Sequence, residues 1–400
     1  MANEFVAEPD LRFARDLIDA GAGDLKKCYQ CATCSVACRI APDNNPYPRK
    51  EMIWAQWGLK DRLLNDPDVW LCHHCNDCST QCPRGANPGD VMKAVRKMLI
   101  QRYSRPSFLG KLVGTSSLMV VALAVPIIVV LALVYLNQGF SFPKPINYGE
   151  FIDYVYIQVV FTAALLFAVI SLVLSLKTYW GRLQSSSVIE VESSRKPFIP
   201  SLIESLSDIL PHTTFKECEA NNLRYAAHLL TFWGMIGLFV TTAIVAFNID
   251  ILHIAPPSRG GPGTVPIKIL GNVSAVAFVL GLGIMLVRRL TAPDQTGGSS
   301  YFDWFFLFTI FGTGATGLLT ELTRYAGSIG GAYILYTVHL MFVLSLFLYL
   351  PFSKFAHLGY RTIAIAWAKS AGRNLTAPTE PNYAPVPGQA EETAVTEAKA

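Results

Sequence analysis

The chain predicts a mainly α-helical fold in two parts: a small helical, ferredoxin-like domain built for two iron–sulfur clusters, then a bundle of six transmembrane helices. Three observations carry this. Eight of the nine cysteines fall within fifty-five residues near the N-terminus. Hydrophobic residues make up 52% of the chain against 16% charged, with a mean hydropathy of +0.35, beyond what an ordinary soluble domain shows. From Leu112 onward the sequence is a succession of apolar stretches of spanning length. The 400 residues leave room for more than one domain, and three regions are expected. Residues 1–105 form the cluster domain, 106–360 the membrane domain, and 361–400 an interfacial helix and disordered tail.

The cysteines come in two runs, "CYQCATCSVAC" from Cys28 and "CHHCNDCSTQCP" from Cys72. Both spell C-x2-C-x2-C-x3-C. Three thiols at this spacing wrap a tight loop around one face of a cubane. The fourth, set further off and followed by proline, ligates the other cluster in two-cluster ferredoxins. One [4Fe-4S] cluster is therefore expected on Cys28, Cys31, Cys34 and Cys82, and a second on Cys72, Cys75, Cys78 and Cys38. Arg39 stands where the first run would carry its proline, which bears on the crossing and not on the clusters. Structural zinc prefers two separated C-x2-C pairs and fits less well. With eight thiols, His73 and His74 have no ligand vacancy to fill and read as neighbours of the cluster or surface residues. Trp54, Trp57 and Trp70 read as packing. So small a module has little core, and cluster binding should supply much of its folding energy.

The N-terminus is charged and lacks the apolar core of a secretory signal. The cluster domain is thus expected in the cytoplasm, where thiols stay reduced. Six spans are expected over Leu112–Leu136, Val155–Leu176, Leu223–Phe247, Ile267–Val287, Trp304–Leu322 and Tyr333–Phe352. An even number returns the C-terminus to the cytoplasm. Lysine and arginine agree: Arg96, Lys111, Lys177, Arg224, Arg288, Arg289, Lys354 and Arg361 are among many on that side. Only Lys144, Arg259, Arg324 and Lys268 fall opposite, a positive-inside pattern. The protein is expected to be multi-pass in the cytoplasmic membrane with both termini inside. "PFIPSLIESLSDILP" from Pro197 and "LGYRTIAIAWAKSAG" from Leu358 read as helices lying on the membrane. The tail from Ala377 lacks bulky aliphatic residues and reads as disordered. A net charge of +4 with no basic run argues against nucleic acid as a partner.

Two of the seven histidines, His228 and His339, fall inside spans, where an ionisable residue is a functional candidate by default. Neutral imidazole is the usual axial ligand of a b haem held between helices, and no C-x-x-C-H marks covalent attachment. His339 and His357 are eighteen residues, or five turns, apart and would share a helix face. His212 precedes His228 by sixteen residues, which does not preserve a face, so His212 is expected at or before the helix start, next to Pro211. Two stacked haems follow, one on His228 with His339 and one on His212 with His357. Gly234 and Gly237 would let a macrocycle approach the backbone. "GTGATG" at Gly312 lies inside a span and reads as helix packing, not a nucleotide loop. Cys218 has no partner in the sequence. For a quinone site, Asp250, Glu321 and Arg324 on the outer side compete with the region of His212 and Glu217.

The front domain resembles the C subunit of heterodisulfide reductases, and the rest is similar to nitrate reductase gamma-type cytochromes b. The two joined through "HTTFKECEANNLRYAAHLLTFWG" resemble the C subunit family of quinone-interacting membrane-bound oxidoreductase complexes. That resemblance implies an oxidoreductase subunit in sulfate respiration. Electrons would pass from menaquinol through two haem b groups and two [4Fe-4S] clusters to cytoplasmic flavin- and iron–sulfur-containing subunits, and on toward adenylylsulfate reductase. Two alternatives stand beside it: a heterodisulfide-reductase-like membrane electron carrier, and a redox-sensing membrane anchor.

Overall fold

The computed structural model describes residues 8–42, 46–185, 196–212, 222–253, 264–292 and 297–373. Glu217, Cys218, Arg259 and the tail from Ala377 lie outside them. Among the described residues every regular element is a helix.

The front domain uses seven helices: α1 (Leu11–Asp19), α2 (Thr33–Val36), α3 (Arg49–Gln56), α4 (Lys60–Leu64), α5 (Asp68–Leu71), α6 (Asp77–Thr80) and α7 (Pro88–Tyr103). Asp10 caps α1 by accepting from Phe13 N at 3.0 Å. The long α7 starts with Pro88, whose missing N–H costs nothing in a first turn.

The membrane part follows as α8 (Ser107–Gly114), α9 (Met119–Gln138), α10 (Tyr148–Phe151), α11 (Tyr154–Ser185), α12 (Phe198–Ile209), α13 (Asn222–Asp250), α14 (Thr264–Thr291), α15 (Tyr301–Tyr325), α16 (Ile329–Tyr349) and α17 (His357–Ser370). Six stretches are long and apolar enough to cross a membrane: Ser116–Gln138, Tyr154–Ser185, Asn222–Asp250, Val265–Thr291, Tyr301–Tyr325 and Ile329–Phe352. The first does not run from Leu112 as expected. Thr115 is extended (φ −111, ψ 120), because Gly110 and Gly114 of α8 are drawn against Gln101 of α7 before the spanning helix begins.

Packing around the bundle is sequential. α13 lies along α14, α14 against α15, α15 against α16, and α16 against α9 and α11. Glycines make the close approaches, as expected where van der Waals packing drives association. Gly312 faces Phe342, Gly314 faces Phe278, and Gly317 faces the His339 ring, so "GTGATG" is a packing motif. Gly234 and Gly237 face Phe278 and Ser274 of α14. Their expected role beside a macrocycle is thereby corrected: helix–helix contact already fills that space.

One hydrophobic core runs from Phe13 and Leu17 in the front domain through Val95 and Tyr103 to Tyr179, Phe352, Tyr360 and Trp367. The front domain is therefore seated on the bundle. α17 is the wedge between them: it packs on α12, α11 and α5, and Trp70 stacks on Tyr360 at 5.2 Å and 10°. This corrects the reading of Leu358–Gly372 as a helix lying on the membrane, since Tyr360, Ala364, Ala366, Trp367 and Ala368 are all buried. It also places the start of that segment at His357. At the far end of α17, Arg373 grips Asp68 with both guanidinium nitrogens, at 2.6 and 3.2 Å. Of the tryptophans read as packing, Trp70 is 2% exposed and Trp57 is 61% exposed.

A candidate redox site where the cluster domain meets the bundle

The two cysteine runs fold as an internal repeat. Each forms an open loop followed by one helical turn, α2 or α6. Four non-glycine residues adopt left-handed backbone at matching positions: Gln30 (φ 63) and His74 (φ 52) before the second cysteine of each run, Ala32 (φ 69) and Asn76 (φ 78) after it. Such conformations are unfavourable for residues with a Cβ, and they persist where surroundings over-determine them. Here they curl each run so that its thiols converge. Backbone amides also point at sulfur: His74 N lies 3.4 Å from Cys72 Sγ, and Ala86 N lies 3.4 Å from Cys82 Sγ.

Proximity among the thiols crosses between runs. Cys28 is pushed up chiefly by burial, and also by Cys82 and Cys31. Cys34 rises to about 11 through burial, then Cys28, Cys31 and Cys82. Cys38, raised to about 12 by burial, feels Cys72 and Cys75, and Cys78 is raised by burial and then by Cys72, Cys75, Cys38 and Cys34. Cys31 is the exposed member, lowered by the Thr33 hydroxyl. Thiols of each run thus lie close enough to those of the other to influence them. Two soft four-thiol sets, inward-bent loops and N–H groups directed at sulfur suit [4Fe-4S] clusters.

Behind the second set lies a cavity of about 370 Å³, enclosed by α7, α12, α13, α14, α15 and α17. Its bundle side is apolar (Met235, Leu282, Ile310), and Cys75 forms part of the opposite wall. His212, His228 and His357 all line it. His212 is left-handed (φ 55) just after α12, ahead of α13 as expected. Its Nε2 lies 2.9 Å from His228 Nδ1. Burial lowers the His212 pKa. His357, lowered to about 4, is held neutral first by burial and also by Lys354 and Arg361, although its Nδ1 lies 2.8 Å from the Lys354 carbonyl.

The four histidines fall into two surroundings. His228 meets His212 directly, and His339 lies beside α15, its Nδ1 3.0 Å from Thr313 O and 3.2 Å from Thr316 Oγ1. His339 and His357 do not share a helix. α16 ends at Tyr349, two 3₁₀ turns carry Pro351 through the break, and Ser353 is extended. Pro351 lacks the N–H that would continue the helix.

His73 and His74 are not surface residues. They line the cavity and are kept neutral by burial and by surrounding cations, led by Arg361 for His73 and Lys93 for His74. The i, i+1 pair inside the second run was the sequence signal available for this. Each member of the outer trio is engaged with a different group. Asp250 accepts from Gln158 at 2.6 Å, Glu321 faces Asn272 at 3.4 Å, and Arg324 covers the Tyr148 ring at 5.5 Å.

Residues 112–378 match the family model described as Citrate utilization protein B, and residues 24–86 match 4Fe-4S dicluster domain. The chain belongs to the citrate utilization protein B family. In this family member the front domain is also similar to heterodisulfide reductase C subunits. A protein of Archaeoglobus profundus that is itself like the heterodisulfide reductase C subunit is 35% identical over 105 residues, covering 26% of this chain and 56% of that protein. The C subunit of the H(2):CoB-CoM heterodisulfide,ferredoxin reductase of Methanothermobacter marburgensis is 36% identical over 88 residues, 22% of this chain and 47% of that one. The chain thus spans about half the length of these curated relatives. No solved structure matches.

Proposed function

We propose that this family member is a membrane electron carrier exchanging electrons between a quinone in the bilayer and two [4Fe-4S] clusters in its front domain. The observation that carries this is the junction cavity, lined by the cluster thiol Cys75 with His73 and His74 of the same loop and by His212, His228 and His357. The clusters would sit on Cys28, Cys31, Cys34, Cys82 and on Cys72, Cys75, Cys78, Cys38. When bound, they and a b haem supply one-electron transfer, into which the two electrons of a quinol divide, its two protons going to water.

For haem, the arrangement supports the cytoplasmic-side site. His357 is anchored through Nδ1 to a carbonyl, which leaves Nε2 free and fixes the ring, as axial ligands require. Arg288, Arg289 and Arg361 on the cavity wall suit carboxylate groups. His212 and His228 do not sandwich a metal while hydrogen-bonded at 2.9 Å, since two metal–nitrogen bonds of about 2 Å each need roughly 4 Å. One of the two would have to turn toward His357. The deep pair, His228 with His339, has less support, because His339 is not part of this cavity.

The chain's own groups have clear tasks. Met235, Leu282 and Ile310 offer an apolar approach for a quinone ring, and a neutral imidazole on the wall that is not holding a haem can relay a proton, taking it at one ring nitrogen while giving one up at the other. The orientation with both termini in the cytoplasm belongs to the same reading. Menaquinone as substrate, sulfate respiration, and partner subunits leading to adenylylsulfate reductase rest on the resemblance alone. The C-subunit relatives favour a second reading, a heterodisulfide-reductase-like carrier serving other subunits. Anaerobic optical and EPR titration of the purified chain, with and without a menaquinol analogue, tests both. Reduction of the junction centre and clusters by the analogue is expected. Centres that a chemical reductant reduces and the quinol leaves oxidised would remove the quinone from the proposal.

A further inference from the structure

The two cluster loops repeat in backbone, but the groups gripping them do not repeat in charge. In the first loop the carbonyls of Leu25 and Cys28 both accept from the neutral amide of Gln56, at 3.1 and 2.9 Å. The equivalent carbonyls of the second loop, Val69 and Cys72, accept from the Arg96 guanidinium at 2.7 and 2.5 Å. The next equivalent pair is Gln30 and His74. Gln30 O accepts from Arg49 at 3.1 Å, and Arg49 is exposed. His74 O accepts from Arg224 at 2.7 Å, which also reaches His73 O at 2.8 Å. Arg361 adds a third cation to the second loop alone, donating to Cys72 O at 3.3 Å and lying 2.8 Å from His73 Nε2. One loop is held by an amide and by two exposed, water-screened cations, Arg49 and Arg84 (the latter 4.2 Å over the Tyr29 ring), the other by three partly buried guanidinium groups facing the cavity.

We propose that Arg96, Arg224 and Arg361 make the cluster on Cys38, Cys72, Cys75 and Cys78 the more easily reduced of the two, so that electrons collect at the membrane junction before moving to the exposed cluster. The inference rests on the two-cluster reading above. Reducing a cluster adds one negative charge, and nearby cations favour that state most where water screens least. An exposed charge such as Arg49 acts weakly by comparison. At an effective dielectric of about 20, one partly buried charge within about 10 Å biases a one-electron step roughly tenfold. Arg96 belongs to the front domain's own α7, whereas Arg224 and Arg361 come from α13 and α17, so their share of the bias exists only when the front domain is seated on the bundle. They are positioning residues, and the readout that separates this from mere support is a potential.

The test is an EPR-monitored redox titration of the full-length protein, purified anaerobically, with iron and acid-labile sulfide measured on the same sample. Two reduction steps are expected. Arg361→Gln should lower the higher midpoint about tenfold in equilibrium constant, which is about 59 mV for a one-electron couple, and leave the lower midpoint in place. Gln56→Arg places a cation on the first loop and should raise the lower midpoint by a comparable amount. Iron and sulfide far below about eight each, after subtracting any haem iron, would fail the two-cluster reading itself. With full content, an unmoved midpoint in either variant overturns the assignment. If Arg361→Gln loses its cluster, Gln56→Arg alone decides.

Discussion

Replacing Gly281 by alanine tests how tightly the junction histidines depend on helix packing. A Cβ at Gly281 would lie 2.5 Å from Thr231 Oγ1, 2.6 Å from Ala227 O and 2.8 Å from Thr231 N, where ordinary contact begins at 3.4 Å. Two of those atoms are α13 backbone, and the Thr231 hydroxyl is itself committed to Ala227 O at 2.9 Å. The helices cannot slide to make room, because a Cβ at Gly234 on α13 would itself lie 2.7 Å from Phe278 N, so that contact is equally tight. α13 must therefore retreat by about 0.8 Å, an overpacking that costs typically about 1–3 kcal/mol. His228 follows Ala227 directly, and its 2.9 Å contact with His212 would stretch to roughly 3.7 Å, beyond a hydrogen bond. Thermal unfolding of the purified protein in detergent, followed by far-UV circular dichroism, reads the loss. Gly283→Ala on the same helix, where nothing lies within 4 Å, is the control and should be neutral or slightly stabilising. If Gly281→Ala unfolded together with Gly283→Ala, the close approach of α13 and α14 would be refuted, and with it the packing account of the histidine pair.

Other outcomes follow from the same structure. Arg373→Met should cost about 3–5 kcal/mol by leaving Asp68 in a buried acidic group with Asp66, Glu51 and only Lys50 for compensation; limited proteolysis should show the front domain loosened from the bundle. For His357 in protein prepared free of haem, folding lowers the pKa from 6.5 to about 4, so between those values the unfolded chain takes up a proton that the folded one refuses. Its contribution is full above pH 6.5 and falls as pH drops toward 4, by at most about 3 kcal/mol because the ring is partly open to the cavity. Buried Glu51, pushed up by desolvation, titrates with the opposite sign, so the difference between wild type and His357→Gln across a pH series of melting temperatures isolates the histidine. His357→Ala should remove a b haem from the pyridine haemochrome count and His339→Ala should leave that haem bound. The reverse result would restore the deep pair.

Local spacing and bulk hydropathy were enough to read much of this molecule. The paired cysteine runs announced two soft four-thiol sites, because cluster loops are short and their ligand geometry is nearly all sequence-local. The six spanning stretches announced the bundle, because a helix must be apolar along its whole length to cross a membrane. His212, His228, His339 and His357 stood out for the same reason, as ionisable groups in or beside apolar sequence. Their grouping was another matter. It depended on a helix break at Pro351 and Ser353, on glycines that bring α13 onto α14, and on α17 turning back between the domains. Each of these is a contact between segments far apart in the chain. The same holds for Arg96, Arg224 and Arg361, which sequence could count only as positive charges on the cytoplasmic side. A guanidinium acts on a cluster through distance and screening, and both are set only when α7, α13 and α17 meet around one loop.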